Sequence, residues 1–138
     1  MNRPMPGLET IDVKTTTRSE MIDITALIRA AVKRSGVASG IACVFCPHTT
    51  AAIAIQENSD PTVKADMVRH LGLVVPREAG SERPDQNSDA HIKGSLIGQS
   101  LTIIVEGGKP HLGNWQAIFF CEFDGPRSRT VLVRVVPG

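Results

Sequence analysis

The chain is poor in the side chains that usually build aromatic cores and ligand cages. Among its 138 residues there are no tyrosines, one tryptophan and four phenylalanines. The core must therefore come from Ile, Val, Leu, Ala and Met. Excess charge is also missing, because 15 Lys+Arg stand against 14 Asp+Glu, a formal net charge of +1. Charge alone gives no basic face for nucleic acid or an anionic membrane, so neither is expected as a partner. No run approaches the roughly 18–20 apolar residues of a membrane span. The opening MNRPMPGLET has no apolar signal-peptide core. Three cysteines, an odd count without an export signal, lead us to expect a reduced cytoplasmic setting. Neither G-x-G-x-x-G nor G-x-x-x-x-G-K-[ST] occurs, so nucleotide-binding loops get no support.

What is present is an aliphatic chain, 41% hydrophobic, long enough for one core. With no repeat, low-complexity tract or linker, a single domain over residues 1–138 is expected. Residues 8–15 alternate as a half-buried strand. Residues 24–34 place Ile24, Leu27, Ile28, Ala31 and Val32 on one helical stripe, with Asp23 as N-cap and Gly36 as the stop. Residues 40–46 and 51–56 read as strands. Asp60-Pro61 then opens a helix with Val63, Met67, Leu71 and Val74 on one face, ended by Pro76. Residues 77–90 form a long polar loop, and residues 101–106, 117–123 and 130–136 are further strands. About six strands and two helices, grouped rather than alternating, predict an α+β fold with a largely antiparallel sheet.

Histidines are the scarce chemical resource, four in all. His48 interrupts two apolar runs and is followed by Thr49 and Thr50; His91 closes the polar loop with Lys93 beside it. Both are candidates for general acid–base or ligand roles. His70 reads as a partly buried scaffold residue and His111 as surface. Cys43 and Cys46 match C-x-x-C, but their odd spacing on a strand puts the thiols on opposite faces, and both read as buried small hydrophobes. The polar cluster Gln56–Asp60 is spaced so that Asp60 serves as a helix cap, a site carboxylate, or both. If residues 51–56 double back beside residues 41–46, His48 and this cluster fall at opposite edges of one subunit. A partner subunit or a twist would then have to bring them together.

Four stretches occur in order: His48-Thr49-Thr50-Ala51-Ala52 running into Gln56–Pro61, Asp89–Gly98, Leu112–Gln116, and Glu122–Arg129. Together they resemble the YjbQ-like family, described as secondary thiamine-phosphate synthases. The resemblance implies a two-sheet, largely antiparallel β-sandwich with flanking helices, assembled as a cytoplasmic homotrimer. It implies a transferase joining phosphorylated pyrimidine and thiazole precursors, with a small anionic or phosphorylated metabolite as partner. The pocket would lie near a subunit boundary. By motif position His48 and His91 match the family's histidines, and with Glu57 and Asp60 they form the implied catalytic set. Thr49, Asn58, Lys93, Trp115, Gln116 and Arg127 would contact substrate, Trp115 as a stacking wall for an aromatic ring. Arg127 and Arg129 have a plainer reading, as partners of Glu122 and Asp124 across the turn. The family's extra histidine before the Ala-His step is missing, for Arg77–Ala90 holds neither histidine nor aromatic. A divalent ion, Mg or Zn, held by His48 and His91 would therefore need another ligand, with Asp89 as the candidate. The competing function is a non-catalytic trimer that binds a metal or an anion.

Overall fold

The computed structural model describes residues 7–77 and 86–138. In chain order its elements are β1 (Leu8–Lys14), β2 (Glu20–Asp23), α1 (Thr25–Ser35), β3 (Gly40–Phe45), β4 (Ala51–Glu57) and α2 (Pro61–Val74). There follow α3 (Ser88–Ile97), β5 (Ser100–Glu106), β6 (Lys109–Pro110), β7 (Gln116–Glu122) and β8 (Ser128–Pro137). One sheet runs β1-β8-β3-β5-β6 and the other β2-β7-β4. All pairings are antiparallel. The fold is α+β and antiparallel, as the spacing of apolar residues predicts, and its two sheets are those the family resemblance implies.

Period-2 alternation explains the larger sheet. Ile11, Val13, Ala42, Val44, Ile103, Val105, Val131 and Val133 turn inward. They meet Ala51, Ile53, Ile118 and Phe120 of the smaller sheet, with α1 adding Ile28, Ala31 and Val32. The smaller sheet is covered on its other face as well. There Ala52, Ala117, Phe119 and Cys121 gather Ala90 of α3 and the half-buried Met67, Val68 and Leu71 of α2. Burial on both faces is why β7 is apolar almost without alternation.

Caps place the helices. Ile24, not Asp23, takes the N-cap position of α1; Asp23 stands one residue earlier, where its carboxylate accepts the Thr25 N–H at 2.9 Å, and α1 stops at Gly36, whose φ of 74° suits a residue without Cβ. Asp60 Oδ1 accepts the Thr62 N–H at 2.9 Å, with Pro61 at the first helical position of α2. No residue of α2 is fully buried. His70 is accordingly exposed on α2, not partly buried, with Nε2 3.1 Å from Arg69 Nη2.

Four elements differ from expectation. The long loop ends early, because α3 begins at Ser88 and places His91 inside a helix; residues 78–85 of that loop lie outside the described residues. β2 and β6, four and two residues long, are too short to show a period. β4 does not lie beside β3 but pairs with β7 in the second sheet. The outward face of the larger sheet is apolar: Ile41, Phe45, Ile104 and Val136 are 41–59% exposed, and Ile41 sits opposite both Ile104 and Val136. Cys46 is buried as expected, but Cys43 is exposed on this face and not buried, because the odd spacing turns it to the outward side of the sheet.

Candidate active-site cleft

The site begins where β3 stops. Pro47 has no N–H to continue the ladder, so β3 ends at Phe45, opposite Leu132 of β8. Further along β8, the Thr130 N–H meets a side chain in place of a strand, and His48 Nε2 accepts it at 3.0 Å. α3 brings the second histidine. It packs so tightly against the start of β4 that a Cβ on Gly94 would sit 2.9 Å from the Thr49 carbonyl oxygen. Only glycine allows that approach. His48, Thr49, His91, Ser95 and Gln99 thereby line one cleft of about 510 Å³ together with Phe45, and among the described residues no acidic side chain lines it.

Behind His48 lies a buried ion pair. Arg129 Nε donates to Glu122 Oε1 at 2.8 Å, and its Nη2 donates to Glu122 Oε2 and to Thr50 Oγ1. Thr15 Oγ1 and the backbone N–H groups of Phe123 and Asp124 complete the shell around Glu122. Burial pushes the Glu122 carboxyl up, but the Arg129 and N–H hydrogen bonds outweigh it and hold the group below the usual carboxylate range. Burial pushes the His48 imidazole down, and the Arg129 charge pushes it further the same way. His91 is half-buried, and its ring takes no protein hydrogen bond among the described residues.

The remaining expected site residues do not all join this cleft. Glu57, Asn58, Asp60, Trp115 and Gln116 lie at the far end of β4, whose seven residues span about 20 Å. Asn58, Trp115 and Gln116 line a separate cavity of about 540 Å³ with Asp23 and Arg29. Trp115 is 66% exposed, so it is not a core residue. Asn58 Nδ2 donates to Asp23 at 2.7 Å, Gln116 Oε1 accepts the Gly113 N–H, and Glu57 accepts the Ser59 hydroxyl. Asp60 is the α2 cap. Lys93 is buried, 3.4 Å from Asp89 and over the Phe123 ring. Arg127 holds Asp124 through its carbonyl and its carboxylate, and Arg129 holds Glu122, the plainer reading of both arginines.

The expected metal set of His48, His91 and Asp89 does not assemble. Asp89 is buried and takes both Arg18 guanidinium nitrogens at 3.0 Å as well as Lys93. Arg18 leads the attractions that hold its carboxyl below the usual range against the upward push of burial. Among the described residues no group of three His, Cys, Asp or Glu is placed to hold a metal ion. Sequence reasoning did not single out Arg18, Thr130, Ser95 or Gln99; Ser95 lies one turn after His91 on α3, while Arg18, Thr130 and Gln99 enter from segments without a histidine.

The family model described as "UPF0047 protein YjbQ-like" matches residues 9–138. The chain belongs to the YjbQ-like family. The YugU protein of Bacillus subtilis is 49% identical to this YjbQ-like chain over 130 residues, 94% of the chain and 98% of YugU. A UPF0047 protein of Methanocaldococcus jannaschii is 50% identical over 90% of each. Among solved structures, an uncharacterized conserved YjbQ/UPF0047 protein of Clostridium acetobutylicum superposes with a TM-score of 0.90 at 49% identity, covering 93% of this chain and 99% of its own. A hypothetical protein of Aeropyrum pernix has the same YjbQ-like fold, with a TM-score of 0.89 at 33% identity over 95% of this chain and 98% of its own.

Proposed function

We propose that this YjbQ-like chain is a small transferase that binds a phosphorylated or otherwise anionic metabolite in the His48–His91 cleft. Thiamine-phosphate synthesis is the reaction we assign to it. The observation that carries this reading is the convergence of the two motif histidines on one cleft, whose described lining residues are neutral or histidine. Hydroxyl and imidazole donors of this kind bind negative oxygen atoms. The reaction joins a pyrimidine pyrophosphate to a thiazole phosphate and releases pyrophosphate, so negative charge grows on the departing oxygen. N–H and O–H donors aimed there lower the barrier. His48, Thr49 and Ser95 supply donors, and His91, with its ring unengaged, is the group able to move a proton. The described residues offer no group of three ligands for Mg or Zn, and no step is assigned to one.

We assign the assembled state as a homotrimer. The apolar outward face around Ile41 supports association, since exposed apolar patches of this kind mark protein contacts. Phe45 lines both that face and the cleft, which supports a cleft beside the boundary between copies. Within one copy β4 keeps Trp115 and Asn58 away from the histidines, so a single ligand touching both sets would draw them from two subunits.

The test is turnover of the two precursors, read as thiamine phosphate formed and pyrophosphate released. His48→Ala and His91→Ala are each expected to lose about 100-fold or more in rate, the scale of a lost acid–base or oxyanion group. Unchanged rates would sink the enzyme reading. Phosphate binding without any turnover would select the non-catalytic anion-binding trimer, which the described lining of the cleft also suits.

A further inference from the structure

The hydrogen bond from the Thr130 backbone to His48 fixes more than the position of the ring. A backbone N–H can only donate, so Nε2, at 3.0 Å, must offer a lone pair. The proton of a neutral imidazole then resides on Nδ1. That nitrogen has no protein partner among the described residues, yet no buried side-chain nitrogen or oxygen is left without one. Nδ1 is therefore open to the cleft that His48 lines.

We propose that His48 is locked as the Nδ1–H tautomer and meets its ligand as a hydrogen-bond donor to an anionic oxygen, not as a metal ligand or a general base. Neither nitrogen then has a lone pair to give: Nε2 has committed its own to the backbone, and Nδ1 carries the proton. A metal ion would have to break the Thr130 bond and leave that N–H unsatisfied. Protonation of Nε2 would break the same bond, and the Arg129 guanidinium behind the ring opposes it as well. The lock is built into the chain path, because Pro47 ends β3 and leaves the Thr130 N–H to the next side chain. Thr130 acts here as a positioning residue. This assignment rests on the anion-binding reading of the cleft only for the identity of the ligand; the tautomer stands on geometry alone.

The experiment uses the full chain labelled with ¹⁵N, with long-range ¹H–¹⁵N correlation of the histidine rings and the His48 signals assigned by their loss in His48→Gln. The expected pattern is a protonated, pyrrole-type Nδ1 and a bare, pyridine-type Nε2. The reverse pattern, or the two tautomers averaged, overturns the proposal. Inorganic phosphate is expected to move the Nδ1 proton. If the tautomer is as assigned but phosphate leaves it unmoved, the tautomer stands and the anion reading of the cleft fails. Zinc is expected to shift neither nitrogen, and a zinc-induced shift of His48 is a second way to overturn the proposal. His48→Gln offers the same acceptor and donor pair through its amide. It should stay within a few-fold of the parent in phosphate affinity, while His48→Ala falls about 10-fold, the scale of one lost hydrogen bond to an anion. Equal losses in the two variants would contradict a donor role.

Discussion

Glu122 shows how far a single residue can shape the cleft without lining it. It is fully buried, and Arg129, at 6% exposure, neutralises it. Removing one partner of such a pair leaves an uncompensated charge in the interior, whereas the intact pair adds little net stability. Arg129→Met is therefore expected to cost about 3–5 kcal/mol in urea denaturation at neutral pH. Glu122 and Asp89 both have carboxyls held below their ordinary values, so their contribution is full above the unfolded-state values near 4.5 and 3.8. It falls away as pH drops through the lower folded-state values. The parent protein should thus lose stability on the acid side, and a flat acid limb would contradict both pairings. Motif position identified His48 and His91 in the sequence. The partners that decide their chemistry were hidden: a backbone N–H has no letter of its own, and Thr130 lies in a distant strand.

Among the elements, α1 was legible because its apolar stripe and both of its ends carry signals. α3 was not. Ser-Asp-Ala-His-Ile-Lys-Gly-Ser-Leu-Ile has no apolar period, and its buried residues include Asp89, Lys93 and Gly94 beside Ala90. The helix is held by ion pairs and by close approach to β4 rather than by a greasy face. Gly94 is where that approach is tightest, with the Thr49 and Ala51 carbonyl oxygens at 2.9 and 3.2 Å from an added Cβ. Gly94→Ala is expected to push α3 outward, costing about 1–3 kcal/mol through overpacking. It should also weaken phosphate binding, since His91 moves with the helix while His48 stays with β8. Calorimetric binding on the folded variant checks this; unaltered affinity would mean that α3 does not set the cleft width.

At the scale of the whole molecule, composition and spacing were enough for the α+β class and most strand positions, because alternation is a local property. How the two sheets divide the strands was not local. β4 sits across from β3 instead of beside it, yet its length still sets the two groups of polar residues apart, the outcome expected for a hairpin. Assembly is the remedy we assign, and it can be checked by light scattering. Ile41→Glu puts a charge at the centre of the outward face and is expected to turn trimers into monomers, whose turnover falls even though both histidines are intact. A trimeric Ile41→Glu variant would place the contact elsewhere.

The opposite facing of Cys43 and Cys46 has a practical use. Cys46 is 1% exposed and Cys121 is 2% exposed, the latter with its thiol pushed up to about 12 by burial, so neither offers a thiolate to an alkylating reagent. Cys43 stands on the outward sheet face beside Ile41 and Phe45. The native chain thus carries one addressable thiol at the surface assigned to assembly. Its labelling rate should rise on dilution as copies separate, an occupancy gauge that needs no engineered tag.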